Sequence, residues 1–194
     1  GGDTAFVQIV GSHTNVVRIE KNGEVLLNKP FSEEAAQPPE SRRSLTVEDI
    51  IAFADEVDLD DVRAPIARQI EYNTAIAEAG LTGQYGAAIG KILLDSYGDS
   101  VQNRAKAWAA AGSDARMNGC EKPVVINSGS GNQGMTASLP VIVYARELKA
   151  SEEQLYRALV VSNLVTIHLK TGIGSLSAYC GATSAGAGAG AGIC

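Results

Sequence analysis

Alternating apolar and polar residues predict strands in the first 30 positions of the chain. Val and Ile recur through residues 5–10 and 15–20, and a third apolar run covers residues 25–27. Asn22-Gly23 separates the last two runs. This pair is the strongest short-range hairpin signal, because both central residues of a type I′ turn need a positive φ. Three strands alone make a marginal sheet, so we expect partner strands upstream of Gly1.

The pattern becomes helical after a polar stretch at residues 30–44, which contains Pro38-Pro39 and is predicted to be a linker. Residues 46–49 (TVED) resemble a capping box with Asp in place of Glu, and residues 151–154 (SEEQ) form a complete one. Apolar spacing predicts helices after both boxes. It also predicts helices over about residues 61–79, ending at Gly80, and over 86–97 and 101–111.

These patterns predict an α+β protein, with antiparallel N-terminal strands that belong to a larger sheet, followed by a mainly α-helical domain. We place the sheet element of an incomplete α/β lobe, with its linker, in residues 1–44. Residues 45–194 form the predicted helical catalytic domain, truncated at its C-terminus. Residues 171–194 carry no charge. Their Gly and Ala side chains are too weakly hydrophobic to drive membrane insertion. We therefore expect a buried helix whose small side chains let a neighbouring backbone approach.

Composition and charge narrow the function classes. The chain has 194 residues, is 45% hydrophobic and has a formal net charge of −6 without a Lys/Arg cluster. Nucleic acid and anionic membrane surfaces are therefore poor partners. Cys120, Cys180 and Cys194 have no CxxC spacing, so we expect no disulfide framework and a cytoplasmic protein. The chain opens with Gly-Gly rather than Met, and we expect it to be a piece of a longer protein.

The stretch 126-INSGSGNQGMTASLP-140 is the least ordinary part of the sequence, because it places a flexible polar segment between two apolar runs. Ordering glycines costs conformational entropy, so something should offset that cost. Side chains of Ser128, Ser130, Asn132 and Gln133, with N–H groups freed by the glycines, suit a small anionic group. A helix expected after Gly134 would add its N-terminus to such a site.

Other interpretations of the candidate residues stay open. The letters GSGNQG fit GxGxxG, but no long strand precedes them and no acidic residue completes the dinucleotide fingerprint. A P-loop fails because no Lys-Ser/Thr follows, and a purely structural glycine turn is a further alternative. His13 and His168 are each more often structural than catalytic. Cys120 is expected in an exposed turn, and Cys180 as a small buried hydrophobe unless further cysteines join it.

Four blocks carry a family resemblance: GSHTNVVRIE, GSDARMNG, NSGSGNQGMTASLPVIV and SLSAYCGAT. In this order and spacing they resemble the L-cysteine desulfidase family, which is related to the alpha chain of bacterial iron–sulfur L-serine dehydratases. The resemblance covers essentially the whole chain, which would be the middle of a longer protein. It implies a cytoplasmic lyase of cysteine catabolism that removes the β-substituent of a small L-amino acid. Cysteine would give pyruvate, ammonia and sulfide, and serine would give pyruvate and ammonia.

The resemblance also implies a [4Fe–4S] cluster held by three cysteines, with one iron open as a Lewis acid. Cys180 matches the first of these ligands. The other two, and a cysteine with the acid–base role, are expected outside this chain, so we expect no complete cluster in it. The substrate-binding residues would be those of the glycine-rich segment together with His168: Ser128, Gly129, Ser130, Gly131, Asn132, Gln133 and His168. The place of His168 in the pocket, with Ser162 and Asn163 on the same predicted helix, is a hypothesis from their spacing along the chain and not from a family motif.

Two questions remain open from the sequence. Cysteine and serine differ only in the sulfur or oxygen atom of the β-substituent, and the sequence does not show which of the two is the substrate. A member without a cluster that only binds an amino acid, a phosphate or a nucleotide through residues 128–134 is the alternative function. The sparse charge on the late helices suggests buried contacts, so a homodimer is an expectation.

Overall fold

The computed structural model describes residues 2–11, 14–31, 42, 44–174 and 179–194. Within them, three antiparallel strands precede seven helices, and the predicted α+β class is confirmed. His13 and most of the predicted linker, with Pro38-Pro39, lie outside the described residues.

The N-terminal strands form one antiparallel sheet with a hairpin where the sequence predicts it. Asn22 and Gly23 have φ values of 53° and 82°, so both adopt the left-handed conformation that a type I′ turn requires. The Asn22 side chain accepts from the Thr4 backbone N–H at 2.7 Å and donates to Asp3 at 2.9 Å. The strands follow one another in the sheet as β1 (Ala5–Ile9), β2 (Val16–Lys21) and β3 (Glu24–Asn28).

The sheet leaves apolar side chains exposed on both faces. Successive strand residues point to opposite faces, and the neighbours Phe6 and Val7 are 49% and 55% exposed. Val25 and Leu26 on β3 are exposed to a similar degree. Among the described elements, the strands contact one another and none of the helices. The candidate site therefore has to be sought in the helices.

Seven helices follow, and most begin at a side-chain cap. Thr46, Ser100 and Ser151 each accept a hydrogen bond from the backbone N–H three residues on, and the complete capping box at Ser151 is confirmed. The helices are α1 (Val47–Glu56), α2 (Leu59–Thr82), α3 (Ile89–Tyr97), α4 (Val101–Met117), α5 (Gly131–Leu148), α6 (Glu152–Ile173) and α7 (Gly181–Ile193).

Gly80 does not end its helix, and that prediction is wrong. Helix α2 continues to Thr82, while Gly80 is buried against α4, where a Cβ would overlap the carbonyl oxygen of Ala111. A glycine near the end of a helical pattern is typical of a cap, but the same residue also permits close helix contact. Helix α4 likewise extends beyond the predicted end at Ala111, to Met117.

Helix α5 is the central element of the helical body and contacts α2, α4, α6 and α7. Met135, Leu139 and Ile142 along it are 0% exposed. Full burial of such side chains is the main favourable term in folding, at about 1.5–3 kcal/mol for each one. No helix in the described part of the chain is both long and apolar enough to cross a membrane.

Residues 171–194 do not form the single buried helix that the sequence predicts. The first of them complete α6, and α7 starts at Gly181 and packs on both α6 and α5. The expected close approach is present on one face of α7. A Cβ on Gly188 would collide with the Thr166 hydroxyl and lie 2.6 Å from the Ser162 carbonyl oxygen, and one on Gly192 would lie 2.5 Å from the Ala158 carbonyl oxygen.

Two neighbouring glycines of α7 give a matched test of this packing. Gly188→Ala should lower the free energy of unfolding by about 1–3 kcal/mol, because the added methyl has no space. Gly190 is exposed with nothing within 4 Å of an added Cβ. Gly190→Ala should therefore raise that free energy by up to about 1 kcal/mol, since alanine loses less entropy in a helix. Urea unfolding followed by circular dichroism measures both, and equal effects would contradict the packing.

Candidate functional site

The glycine-rich segment begins with a tight turn. Asn127 and Ser130 exchange two backbone hydrogen bonds, each 3.1 Å long. Between them Ser128 and Gly129 have φ values of 50° and 84°, the left-handed pair of a type I′ turn. Serine seldom adopts this conformation, and it persists only where the surroundings enforce it.

Helix α5 starts directly after this turn, at Gly131, and not after Gly134 as predicted. Ser130 is its N-cap and accepts from the Gln133 N–H at 3.5 Å, so Gly131 and Gly134 belong to the first helical turn. The early start has a packing reason. A Cβ on Gly134 would overlap the carbonyl oxygen of Val125, so only glycine lets the helix begin against the preceding chain.

A largely buried network of side-chain amides holds the turn against two helices. The Asn127 Nδ2 donates to the Asn163 Oδ1 at 2.9 Å and to its backbone carbonyl at 3.2 Å. Asn163 and Gln69 exchange two further bonds of 2.8 and 3.0 Å, and Asn163 also donates to the Leu159 carbonyl at 2.8 Å. The Ser128 hydroxyl donates to the Asn127 Oδ1 at 2.7 Å. The network therefore connects the turn with α6 and α2.

Asn73, one helical turn beyond Gln69 on α2, fixes the chain that leads into the turn. Its Oδ1 accepts from the Val125 N–H at 2.9 Å, while its Nδ2 donates to the Ser138 hydroxyl at 2.9 Å and to the Val125 carbonyl at 3.3 Å. Asn73 and Ser138 are both 0% exposed. Each buried pair contributes about 1 kcal/mol net and would cost more if broken. These bonds offset the entropy lost by ordering the glycines.

The start of α7 lies against the first turn of α5. An added Cβ on Gly181 would lie 2.6 Å from Oε1 and 2.5 Å from Nε2 of Gln133, so the amide of Gln133 packs directly on the backbone beside Cys180. The structure thus brings together two predicted parts of the site, the glycine-rich segment and Cys180. Cys180 is the N-cap of α7 and is exposed rather than buried, so the expectation of a buried thiol is wrong.

The environment of Cys180 favours its thiolate. Backbone N–H groups of Thr183 and Ala182, in the first turn of α7, lower the pKa of the Cys180 thiol, and the side chain of Thr183 acts in the same direction. The positive charge of Lys170 lowers this pKa too, as a smaller cause. A thiol at a helix N-terminus is where lowered pKa values are typical.

One buried polar group beside Gly181 has no partner among the described residues. The Oε1 of Gln133 is buried without a hydrogen bond, and the residue is 8% exposed. Lys170 in the last turn of α6 is also 8% exposed, and its positive charge acts on the Cys180 thiol. The interpretation of the sequence missed Lys170, although it is the only charged residue after Arg157.

The remaining predicted residues lie around this centre. The Asn132 side chain accepts from Arg116 at 3.2 Å, which joins the first turn of α5 to the last turn of α4. Ser162 is fully buried, and its hydroxyl donates to the Ala137 carbonyl at 2.6 Å. His168 is partly buried on α6 and has no hydrogen bond to any described residue. Its place in a substrate pocket stays a prediction.

Thiols and metal-binding groups are sparse in the described part of the chain. Cys120, Cys180 and Cys194 are free, and no three His, Cys, Asp or Glu side chains of the described residues are grouped for a metal ion. Cys120 is partly buried against the apolar cluster around Met135, not in an exposed turn as predicted. Among the described residues, Cys180 is therefore the one accessible thiol that could bind a metal at this site.

Comparison with protein families gives one match that spans nearly the whole chain. The family model of the serine dehydratase alpha chain matches residues 12–194, which include every element of the candidate site. No solved structure matches the chain significantly.

Curated relatives are similar over the whole chain but are longer. A UPF0597 protein of Desulfitobacterium hafniense is 60% identical over 187 residues, covering 96% of this chain and 44% of the relative. UPF0597 proteins of Lachnoclostridium phytofermentans and Treponema denticola are 54% and 52% identical, covering 100% and 99% of this chain and 46% of each relative. The chain therefore spans about half the length of the curated relatives it matches.

The amide network gives a first stability prediction for the site. Asn163→Ala should leave both ends of the Gln69 amide unpaired in the protein interior, while Asn127 keeps its bond to the backbone carbonyl of residue 163. The free energy of unfolding should fall by roughly 1–3 kcal/mol for each unpaired group. Gln69→Ala removes two of the same bonds, so the double variant should cost clearly less than the sum of the single ones. Additive losses in urea unfolding would show that the two amides do not act together.

The lowered pKa of Cys180 predicts unusual alkylation. In a Cys120→Ser/Cys194→Ser background, the rate with iodoacetamide should reach half its maximum at a pH below the ~8.5 of free cysteine, because the thiolate forms at lower pH. Thr183→Val should move this midpoint upward, because the Thr183 side chain lowers the pKa of the thiol, while the backbone N–H groups of α7 remain. A midpoint at or above that of free cysteine would contradict the geometry of the α7 N-terminus.

Proposed function

Because the chain belongs to the serine dehydratase alpha-chain family, we propose that it is part of a lyase that eliminates the β-substituent of a small L-amino acid. The product would be pyruvate with ammonia, together with sulfide if the substrate is cysteine. Since the chain spans about half of its curated relatives, this activity is proposed for the full-length protein.

One contact carries the proposal. The amide of Gln133 packs on Gly181, so the glycine-rich turn, the N-terminus of α5 and the N-terminus of α7 meet beside an exposed thiol. Two helix N-termini and one ammonium make this region favourable for negative charge. A carboxylate and a departing thiolate or hydroxide are the negative groups of a β-elimination.

The residues of the chain would bind and orient the substrate. The turn at Ser128-Gly129 and the amide of Gln133 present polar groups on a backbone fixed by the network of Asn127 and Asn163. A fixed site restricts the substrate to a reactive orientation, which is a large part of the rate that enzymes supply. Gly131 and Asn132 would define the α5 side of the pocket, beside Arg116.

The described residues supply only part of the ligand set for the iron–sulfur cluster that the family resemblance implies. The described residues supply a single suitable ligand, the Cys180 thiol, and no group of three metal-binding side chains. They do not fit a complete [4Fe–4S] site. We propose Cys180 as one ligand in the full-length protein, where an open iron would supply Lewis acidity. No step of the reaction is assigned to the cluster from these residues.

Nucleotide binding is less well supported by the same geometry. Residues 120–126, which lead into the turn, belong to no helix or strand, and Gly131 and Gly134 are helical. The described residues therefore lack the strand–turn–helix unit in which GxGxxG binds a pyrophosphate. Binding of an amino acid without catalysis remains the alternative function, because it needs only the polar groups described above.

Turnover by the full-length protein tests the proposal. Anaerobically purified protein should absorb in the visible range and release pyruvate from L-cysteine, L-serine or both. Cys180→Ser should abolish the visible absorption and the pyruvate, since the thiolate is lost as a ligand. Cys194→Ser is the control and should retain both. A colourless wild-type protein that forms no pyruvate from either amino acid would refute the proposed lyase.

A further inference from the structure

One face of the N-terminal sheet carries an unbroken apolar row across all three strands. Val7 on β1 pairs with Ile19 on β2, and Ile19 pairs with Leu27 on β3, so the three side chains are neighbours on the same face. This surface, the apolar face, consists of Val7, Ile19 and Leu27. Val7 is 55% exposed, and the other two are only partly buried. Among the described elements no helix contacts the strands, so none of these helices covers the apolar face.

The opposite face of the sheet is suited to water. Glu20 lies there between Phe6 and Val25, and its carboxylate forms a 2.5 Å ion pair with the Arg18 guanidinium. The next row on this face contains only polar side chains: Gln8, Arg18 and Asn28. Antiparallel sheets commonly pack one face on a core and leave the other face solvated. The register therefore identifies the apolar face as the one that needs a cover.

The cover has to be present whenever the sheet is folded. A small sheet gains independent stability from an apolar face that is packed against another layer, and three strands without such packing are marginal. A partner that binds only part of the time would leave the sheet unsupported for the rest of it. A segment of the same protein meets this need best, because its effective concentration at the sheet is far higher than that of a separate molecule.

The curated relatives contain additional chain that can supply this segment. They match 96–100% of this chain, while more than half of each relative lies outside the matched region. We propose that a segment of the full-length protein outside this chain packs its apolar side chains on Val7, Ile19 and Leu27 and leaves the opposite face in water. This contact does not depend on the proposed lyase activity.

Cysteine accessibility in the full-length protein tests the contact. Within this chain Val7 is exposed, while Gln8, its neighbour on the opposite face, is partly buried. Without a cover, Val7→Cys should therefore react with N-ethylmaleimide at least as fast as Gln8→Cys, which is the matched control. We expect the reverse order, with Val7→Cys modified about tenfold more slowly or less, because a covered thiol reacts only when the contact opens.

Mass spectrometry of the modified peptides reads the two positions separately, so other cysteines of the full-length protein do not interfere. Equal rates, faster modification of Val7→Cys, or slow modification at both positions would overturn the proposal.

A photocrosslinker identifies what covers the apolar face. Ala5 is exposed and lies two residues before Val7, so its side chain is at the rim of the same face. With p-benzoylphenylalanine in place of Ala5, irradiation of the full-length protein should join position 5 to a peptide from outside this chain, in a product with the mass of one molecule. A product of twice that mass would assign the face to a second copy. That result, a crosslink to a residue of this chain, or the absence of any crosslink would overturn the proposal.

Discussion

The buried amide bonds among Asn127, Asn163 and Gln69 are the constraint on which the rest of the site depends. They join a turn that is intrinsically strained, with Ser128 in a left-handed conformation, to two long helices. Because the turn is fixed, α5 starts at a defined position and direction. Because α5 is the central helix, its N-terminus determines where Gln133 meets α7. A fully paired polar network of this kind rigidifies the structure and specifies a single geometry.

Small residues provide the second constraint, because they set how closely the helix backbones approach one another. Gly134 lets α5 begin against Val125, Gly181 lets α7 begin against Gln133, and Gly188 lets α7 lie on the backbone of α6. Three close approaches thus bring the ends of separate helices into one region. A side chain at any of these positions would separate the thiol from the turn.

The strands, the hairpin and most helix starts are predictable from the sequence, because they depend on local chemistry such as Asn22-Gly23 and the Ser151 capping box. The glycine-rich segment and Cys180 are also found as candidates. Gly80 and Gly134 are misplaced because glycine marks both helix ends and close contacts, and only the partner helix distinguishes the two. Asn73, Gln69 and Lys170 are missed for a similar reason. Their partners lie on other helices, and a polar residue in an apolar pattern does not reveal which group it meets.

The composition of α7 has a consequence for dynamics. Glycine is a poor helix former, and this helix contains five glycines within residues 181–193. Little in its own sequence keeps it helical, so its order depends on contact with α5 and α6. Undocking and unwinding of α7 should therefore be one local opening event, well below the energy of global unfolding. The thiol at its start is in place only while α7 is docked, and any molecule bound there would slow amide exchange along the whole helix.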